Sequence, residues 1–326
     1  MRDFTILVLP GAYAASVAIT QDMLQAAAVM ALRLKLPQPT WHVVSPYGGH
    51  VALSGGLRIG TARMPLRQSA DSSTWIVPGL GLESPAAVAQ RLSNAASQKA
   101  VSRLRRHVEG GGAVAASCSA VFLLQAAGLL QGRRATTSWW LASELRSLQP
   151  DCEVDADRMV VSDGLVTTAG AAFGQSDLML HLIRVRFSPA LADAVGKVLL
   201  IDGRQAQSRF MVPSMLANGN ELISRLTQFI ESALPRPPSV SRLAEEFAMS
   251  HRTLSRHVRA ATGQGPLALI QTVRLNRARM LIENSRMSVD QVAQEVGYGD
   301  ATALRRLMRQ VTGATPSTFR GAAIWR

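Results

Sequence analysis

The sequence predicts two domains of different class: an α/β domain built on a parallel sheet, then an all-α domain with two helix-turn-helix motifs. Three observations carry this. Over the first two hundred residues, short apolar runs alternate with longer helical stretches, as strands covered on both faces do. The last ninety residues contain one unit twice: Ala244 and Ala293 lie 49 residues apart, and Arg256 and Arg306, Gly263 and Gly313, and Pro266 and Pro316 lie 50 apart. The charge is also uneven, because residues 236–326 hold 14 arginines, no lysine and 6 acidic residues, which is +8 of the chain's +13.

Taken in order, the apolar run from Phe4 to Leu9 reads as a doubly buried strand, ended by Pro10-Gly11, with a helix expected from Val17 to Leu34. Trp41–Ser45 and Thr74–Val77 are further strands, the latter stopped by Pro78-Gly79-Leu80-Gly81. A helix over Lys99–Val108 ends at three glycines, Gly110 to Gly112, a strong stop signal. Ala113–Ser117 is the next strand and Ser119–Ala127 the next helix. A polar hairpin then turns at Ser162-Asp163-Gly164, and helices over Gly174–Arg186 and Pro189–Leu200 close the domain. The polar stretch after Asp202 reads as a joint, giving an α/β domain over 1–205, a linker over 206–219 and an all-α domain over 220–326. Within the last, a helix over Asn220–Ala233 precedes a stiff proline joint, Pro235-Arg236-Pro237-Pro238-Ser239.

Two cysteines, Cys118 and Cys152, make no disulfide framework, which points to a reducing cytoplasm. No charged-then-apolar leader opens the chain and no run of eighteen apolar residues occurs, so no membrane partner is expected. Neither a metal nor a cofactor is expected.

In the first repeat, Val240, Leu243, Ala244 and Phe247 form the apolar face of a short helix, and Ser250 is placed to cap the helix after the turn. Leu254 and Val258 anchor that second helix, leaving Arg252, Thr253, Ser255, Arg256 and Arg259 for the outer face. In the second repeat Asp300 or Gly299 opens the helix, Leu304, Leu307 and Met308 anchor it, and Thr302, Arg305, Arg306 and Arg309 stay free. The second copy has one extra residue between the two halves of its motif. Arginine bonds guanine edges bidentately, and arginine and small hydroxyl residues reach phosphates, so these side chains suit a helix laid in the major groove of double-stranded DNA. A solvated helical array would show the repeat too, but not the coincidence of repeat, turn chemistry and arginines.

These residues resemble the DNA-binding domain of the AraC family of bacterial transcription regulators. The family signature reads here as Val292-Ala293, Gly297-Tyr298, then Thr312-Gly313-Ala314-Thr315-Pro316-Ser317-Thr318-Phe319-Arg320. The resemblance spans about residues 218–326. It implies two recognition helices held by one linking helix (Leu267 to Glu283) and entering successive major grooves, about 34 Å apart. Leu304 stands where many relatives have phenylalanine.

Cys118 stands where a buried strand turns sharply into a helix among small residues, Ser117, Ser119 and Ala120. A thiol there faces helix N–H groups, which favour the thiolate; a small buried cysteine meets the same description. The segment Ser117 to Thr137, with Trp139, Asp163-Gly164 and Thr168-Ala169-Gly170, resembles the ThiJ/PfpI superfamily. That superfamily has a flavodoxin-like, class I glutamine-amidotransferase-like fold, and here the resemblance is to the form fused to AraC-type tails, the GlxA family. It covers about residues 1–205. In the enzymes of that superfamily the elbow cysteine works with a histidine and an acid. Most relatives have histidine where this chain has Ser138, and the acid corresponds by position to Asp22. A thiolate nucleophile needs its base, so the resemblance implies a non-catalytic ligand site lined by Asp22, Gly79, Leu80, Cys118, Ser119 and Ser138, with Trp139 and Trp140 as further candidates. It also implies a homodimer, RNA polymerase as a partner, and an amino-acid-like or amine-like small-molecule effector, with Asp22 able to pair a cation. Two alternatives stay open. One is a redox sensor acting through Cys118; the other is an active amidase or glyoxalase-like enzyme with a DNA-binding tail.

Overall fold

The computed structural model describes residues 2–65, 72–81, 84–201, 203, 207, 220–312 and 315–316, with the backbone alone at 283–284 and 310–312. The chain divides into two compact units, Met1–Gln205 and Ala206–Arg326. Apart from Gln207, the expected linker at 206–219 lies outside the described residues.

The first unit is a sheet between two helical layers. Its strands are β1 (Phe4–Leu7), β2 (Trp41–Ser45), β3 (Gly49–Ala52), β4 (Arg58–Arg63), β5 (Thr74–Val77), β6 (Val114–Ser117), β9 (Val160–Asp163) and β10 (Val166–Ala169), in the order β3-β4-β2-β1-β5-β6-β10-β9. The six inner strands run parallel, and β3 and β9 are antiparallel edges. A separate parallel pair joins β7 (Arg134–Ala135) to β8 (Glu153–Val154).

Successive strand side chains serve opposite cores, which is the reason the runs are continuously apolar. Leu7, Leu9, Trp75, Val77, Val114 and Ala116 belong to one cluster; Phe4, Ile6, Val8, Ile76 and Ala115 belong to the other. The first cluster is covered by α2 (Pro85–Ser93), α3 (Ala95–Glu109), α4 (Val121–Ala126) and α5 (Ala142–Leu148). Against the second lie α1 (Ala14–Leu34), α6 (Gly174–Arg186) and α7 (Pro189–Val198), which also pack on one another. Helix α1 is long and apolar enough to cross a membrane by length and composition alone. Its Val17, Met23, Leu24, Ala27 and Ala31 are nonetheless buried in this sheet core.

Three expectations change. The β3–β4 edge hairpin was not expected, because its strands are polar and mostly exposed and carry no apolar run. The hairpin expected to be polar is buried on its second strand: β10 is buried along its length and pairs in parallel with β6. The helix after Ser117 begins as a 3-10 turn over Cys118–Ala120 before α4.

The second unit contains α8 (Glu221–Ser232), α9 (Val240–Glu246), α10 (His251–Thr262), α11 (Pro266–Asn284), α12 (Val289–Glu295) and α13 (Ala301–Thr312). Serine hydroxyls cap α9, α10 and α12, Ser239 accepting from Arg242 N, Ser250 from Thr253 N and Ser288 from Gln291 N. Gln291 bonds back to the Ser288 N–H and completes a capping box. Helix α10 ends at Gly263 in the left-handed region. The linking helix α11 has apolar residues on two sides: Leu269, Ile270 and Val273 are buried in its first half, and Leu275, Ala278 and Ile282 form one core with Val292, Ala293, Val296, Leu304 and Met308.

Candidate functional site

Two constellations carry chemistry, one in each unit. In the second unit α9 and α10 form one helix-turn-helix, and α12 and α13 the other. Four residues, 247–250, separate the first pair and five, 296–300, the second, which puts the extra residue in the turn. Leu254 and Val258 anchor α10, fully buried; Leu304 and Met308 anchor α13, so leucine in place of phenylalanine still fills the core. Leu307 is half-buried.

The opposite faces are basic. Arg252, Arg256 and Arg259 are exposed on α10, and Thr302, Arg305, Arg306 and Arg309 on α13. Spacings of three and four keep each set on one face of its helix. Ser255 and Thr253 are half-buried on α10. Ser250 is exposed and its hydroxyl also meets the Thr253 hydroxyl at 2.9 Å. Asp300, not Gly299, opens α13, its carboxylate accepting from Ala303 N at 2.8 Å. Of the signature from Thr312 to Arg320, only the Thr312 backbone, Thr315 and Pro316 fall within the described residues.

In the first unit the chain turns at Cys118 with φ at 55°, a left-handed conformation that is strained for any residue with a side chain. The turn is held from the segment after β7: Thr137 Oγ1 donates to the Cys118 carbonyl at 2.8 Å, and Ser138 Oγ donates to Cys118 Sγ at 3.0 Å. Thr136 N donates to Thr168 Oγ1 and fixes that segment to β10. Gly79 closes the other side, where a Cβ would stand 3.1 Å from Cys118 Cβ and 3.4 Å from Ser16 Oγ.

Burial pushes the Cys118 thiol up from its ordinary value, and the hydrogen bonds from Ser138 and Ser119 do not overcome it. This corrects the expectation that helix N–H groups would favour the thiolate: Cys118 is 3% exposed, and desolvation of the charged form outweighs the local dipoles. The candidate lining is also corrected at two positions. Asp22 is exposed on α1, whereas Ser16, six residues earlier, has its hydroxyl near Gly79, where a Cβ would meet both Ser16 Oγ and Cys118 Cβ. Leu80 is buried in the hydrophobic core. Gly79, Cys118, Ser119 and Ser138 do come together, with Ser119 and Ser138 fully buried. Trp139 is buried, stacks edge-on with Trp140 at 5.3 Å, and Trp140 packs against the core.

The structure adds residues that sequence reasoning missed. Ser16 Oγ donates to the Ala172 carbonyl, Thr20 Oγ1 to the Ser16 carbonyl and Gln175 Nε2 to Thr20 Oγ1. Among the described residues, Ser117 Oγ and Gln175 Oε1 are buried without a hydrogen-bond partner. Small hydroxyl residues inside an apolar helix carry no signal in the sequence; only the crossing of α1, α6 and two strand ends joins them.

Residues 40–184 match the DJ-1/PfpI family and residues 243–322 a helix-turn-helix domain. The HTH-type transcriptional regulator CdhR of Pseudomonas aeruginosa is 28% identical over 324 residues, covering 98% of this chain and 91% of that protein. The HTH-type transcriptional regulator GlxA of Rhizobium meliloti is 26% identical, covering 89% of this chain and 88% of that protein. An AraC family transcriptional regulator from Pseudomonas putida, solved as a crystal structure, superposes with a TM-score of 0.50 at 20% identity, over 61% of this chain and all of that one.

Proposed function

We propose that this protein, which is a DNA-binding transcription regulator of the AraC/GlxA type joining a DJ-1/PfpI-family domain to an AraC-type helix-turn-helix domain, is switched by a small metabolite held in the α/β unit. It acts as a homodimer in the cytoplasm, and bound effector changes how α10 and α13 meet a promoter and RNA polymerase. Such a switch requires the effector to bind the two states of the protein with different affinity. The single observation that carries the reading is the geometry of the elbow: a strained turn holds a buried cysteine whose sulfur accepts a hydrogen bond from the Ser138 hydroxyl at 3.0 Å, where a nucleophile's base would have to stand.

The elbow is non-catalytic in this reading. A nucleophile needs a base within hydrogen-bond reach, and the group at that position is Ser138 Oγ, 3.0 Å from the sulfur. The effector is recognised near Gly79, Cys118, Ser119 and Ser138. The Ser117 hydroxyl and Gln175 amide oxygen, buried without a partner among the described residues, favour a ligand with uncharged hydrogen-bonding groups. With Asp22 exposed, a cationic group has no support from that residue. DNA is read by Arg252, Arg256 and Arg259 on α10 and by Arg305, Arg306 and Arg309 on α13, with Ser250, Thr253, Ser255, Asp300 and Thr302 setting or lining the helix starts; what supports this is the exposed arginine row on each helix.

The test is a thermal-shift screen of the full chain against amides, amino acids, amines and small carboxylates. A ligand at a hundred times its Kd stabilises the native state by about 2.7 kcal/mol, which raises the melting temperature of a domain this size by about 5–10 °C. A hit that also changes affinity for the protein's DNA establishes the reading. Silence across the panel from a folded sample, or a hit that leaves DNA affinity unchanged, refutes it.

A further inference from the structure

The second helix-turn-helix is fastened in a way its sequence does not announce. Helix α12 ends at Glu295, and the next carbonyls along the chain are those of Val296 and Gly297. Arg274, from the middle of α11, takes both: Nε donates to Val296 O at 2.8 Å and Nη2 to Gly297 O at 2.7 Å. The guanidinium lies 3.6 Å over the ring of Tyr298, the next residue of the turn. A cation at the carbonyl end of a helix complements its dipole, and an arginine over an aromatic face adds a cation–π attraction. The proline joint before α9 also approaches this turn closely. A Cβ at Gly297, whose φ is 77°, would fall within 2.4 Å of the Pro235 carbonyl oxygen and 2.6 Å of Pro237 Cδ.

This turn is therefore held between a guanidinium and a proline segment, and it is the turn with the extra residue. Five residues between helices have more ways to set the second helix than four, so something outside the turn must choose one. The first recognition helix is joined to α11 at Gly263–Gly265, directly before Pro266; the second is separated from α11 by the whole of α12. We propose that Arg274 is a positioning residue for DNA recognition: by clamping the Val296–Tyr298 turn it fixes the direction in which α13 leaves, and with it the spacing between the two recognition helices. The inference rests on the reading of α10 and α13 as recognition helices. Geometry is the reason for arginine here. Lysine offers one point charge and cannot bond two carbonyls while stacking flat on a ring.

The experiment uses the full chain and a duplex enriched by the wild-type protein from a random library. Arg274→Lys and Arg274→Ala are compared with wild type by hydroxyl-radical footprinting, by titration, and by thermal melting to establish that each is folded. The expected result is that both variants keep protection of the half-site read by α10 and lose protection of the one read by α13. The affinity should fall at least tenfold, with the lysine variant no better than partly rescued. On a duplex keeping only the α10 half-site, wild type and Arg274→Lys should bind equally. Wild-type binding and footprint by the variants would overturn the proposal, and so would an equal loss at both half-sites. Arg306→Ala serves as the separate control: if it leaves the second half-site protected, the recognition-helix reading fails whatever Arg274 does.

Discussion

Ala248 and Gly297 occupy the same place in the two helix-turn-helix copies, 49 residues apart, and both have positive φ, 50° and 77°. Exchanging their residue types gives effects of opposite sign. For Gly297→Ala, the left-handed backbone costs about 1–2 kcal/mol for any residue with a Cβ. The new Cβ also meets the Pro235 carbonyl oxygen at 2.4 Å and Pro237 Cδ at 2.6 Å. These are backbone and ring atoms, not the end of a flexible side chain, so overpacking adds about 1–3 kcal/mol. A total loss of about 2–5 kcal/mol is expected, which for a unit of this size lowers its melting temperature by about 8–20 °C. Ala248 is exposed and already bears the backbone cost. Ala248→Gly relieves it, less the entropy glycine gains in the unfolded chain, for a net gain of about 0.5–1 kcal/mol. Calorimetric melting of the full-length variants reads both. Gly297→Ala as stable as wild type would refute the close approach of the proline joint, and with it half of the clamp on the second turn.

Three further outcomes concern the two sites. Arg256→Ala and Arg306→Ala should each weaken binding to a selected duplex by about 1–3 kcal/mol and reduce the salt dependence by about one ion; anisotropy titrations at several salt concentrations measure this, and unchanged binding by both would remove α10 and α13 as the reading helices. For Cys118, whose folded thiol titrates above its ordinary value, the unfolded chain releases the proton first. The stability it contributes is thus complete below the ordinary thiol pKa of about 8.5 and is lost as the pH rises beyond it. Urea denaturation from pH 7 to 10 should show that fall, reduced but not abolished in Cys118→Ser because burial also raises Cys152. Alkylation of Cys118 in the folded protein should lag far behind alkylation in urea, and a sulfur as reactive at pH 7 as a free thiolate would restore the redox and catalytic readings.

Local signals made most of the fold legible. The runs at Phe4–Leu9, Trp41–Ser45, Thr74–Val77 and Ala113–Ser117 sit in strands because both sheet faces are buried, and a doubly buried strand leaves a continuous apolar trace. The helix-turn-helix pair was legible because its caps and anchors act over short stretches of chain: Ser250, Leu254, Val258 and Gly263 each act on neighbours in the chain. The β3–β4 edge left no trace, since edge strands facing solvent need no apolar alternation.

What the sequence by itself determined, then, is everything set by short-range chemistry: the strand and helix runs, the caps, the duplicated unit and the basic excess of the last ninety residues. Tertiary structure alone decided the elbow's chemistry and the second turn's support. Whether Cys118 is a thiolate depends on the balance of desolvation against Ser138 and Ser119, and burial is a property of the assembled sheet and helices. That Ser16 lies near Gly79 while Asp22 is exposed is set by how α1 packs on the sheet. Arg274 reads in the sequence as one more basic residue of the linking helix. It becomes a clamp because folding brings Val296 and Gly297, 22 and 23 residues away, within hydrogen-bond reach of its guanidinium.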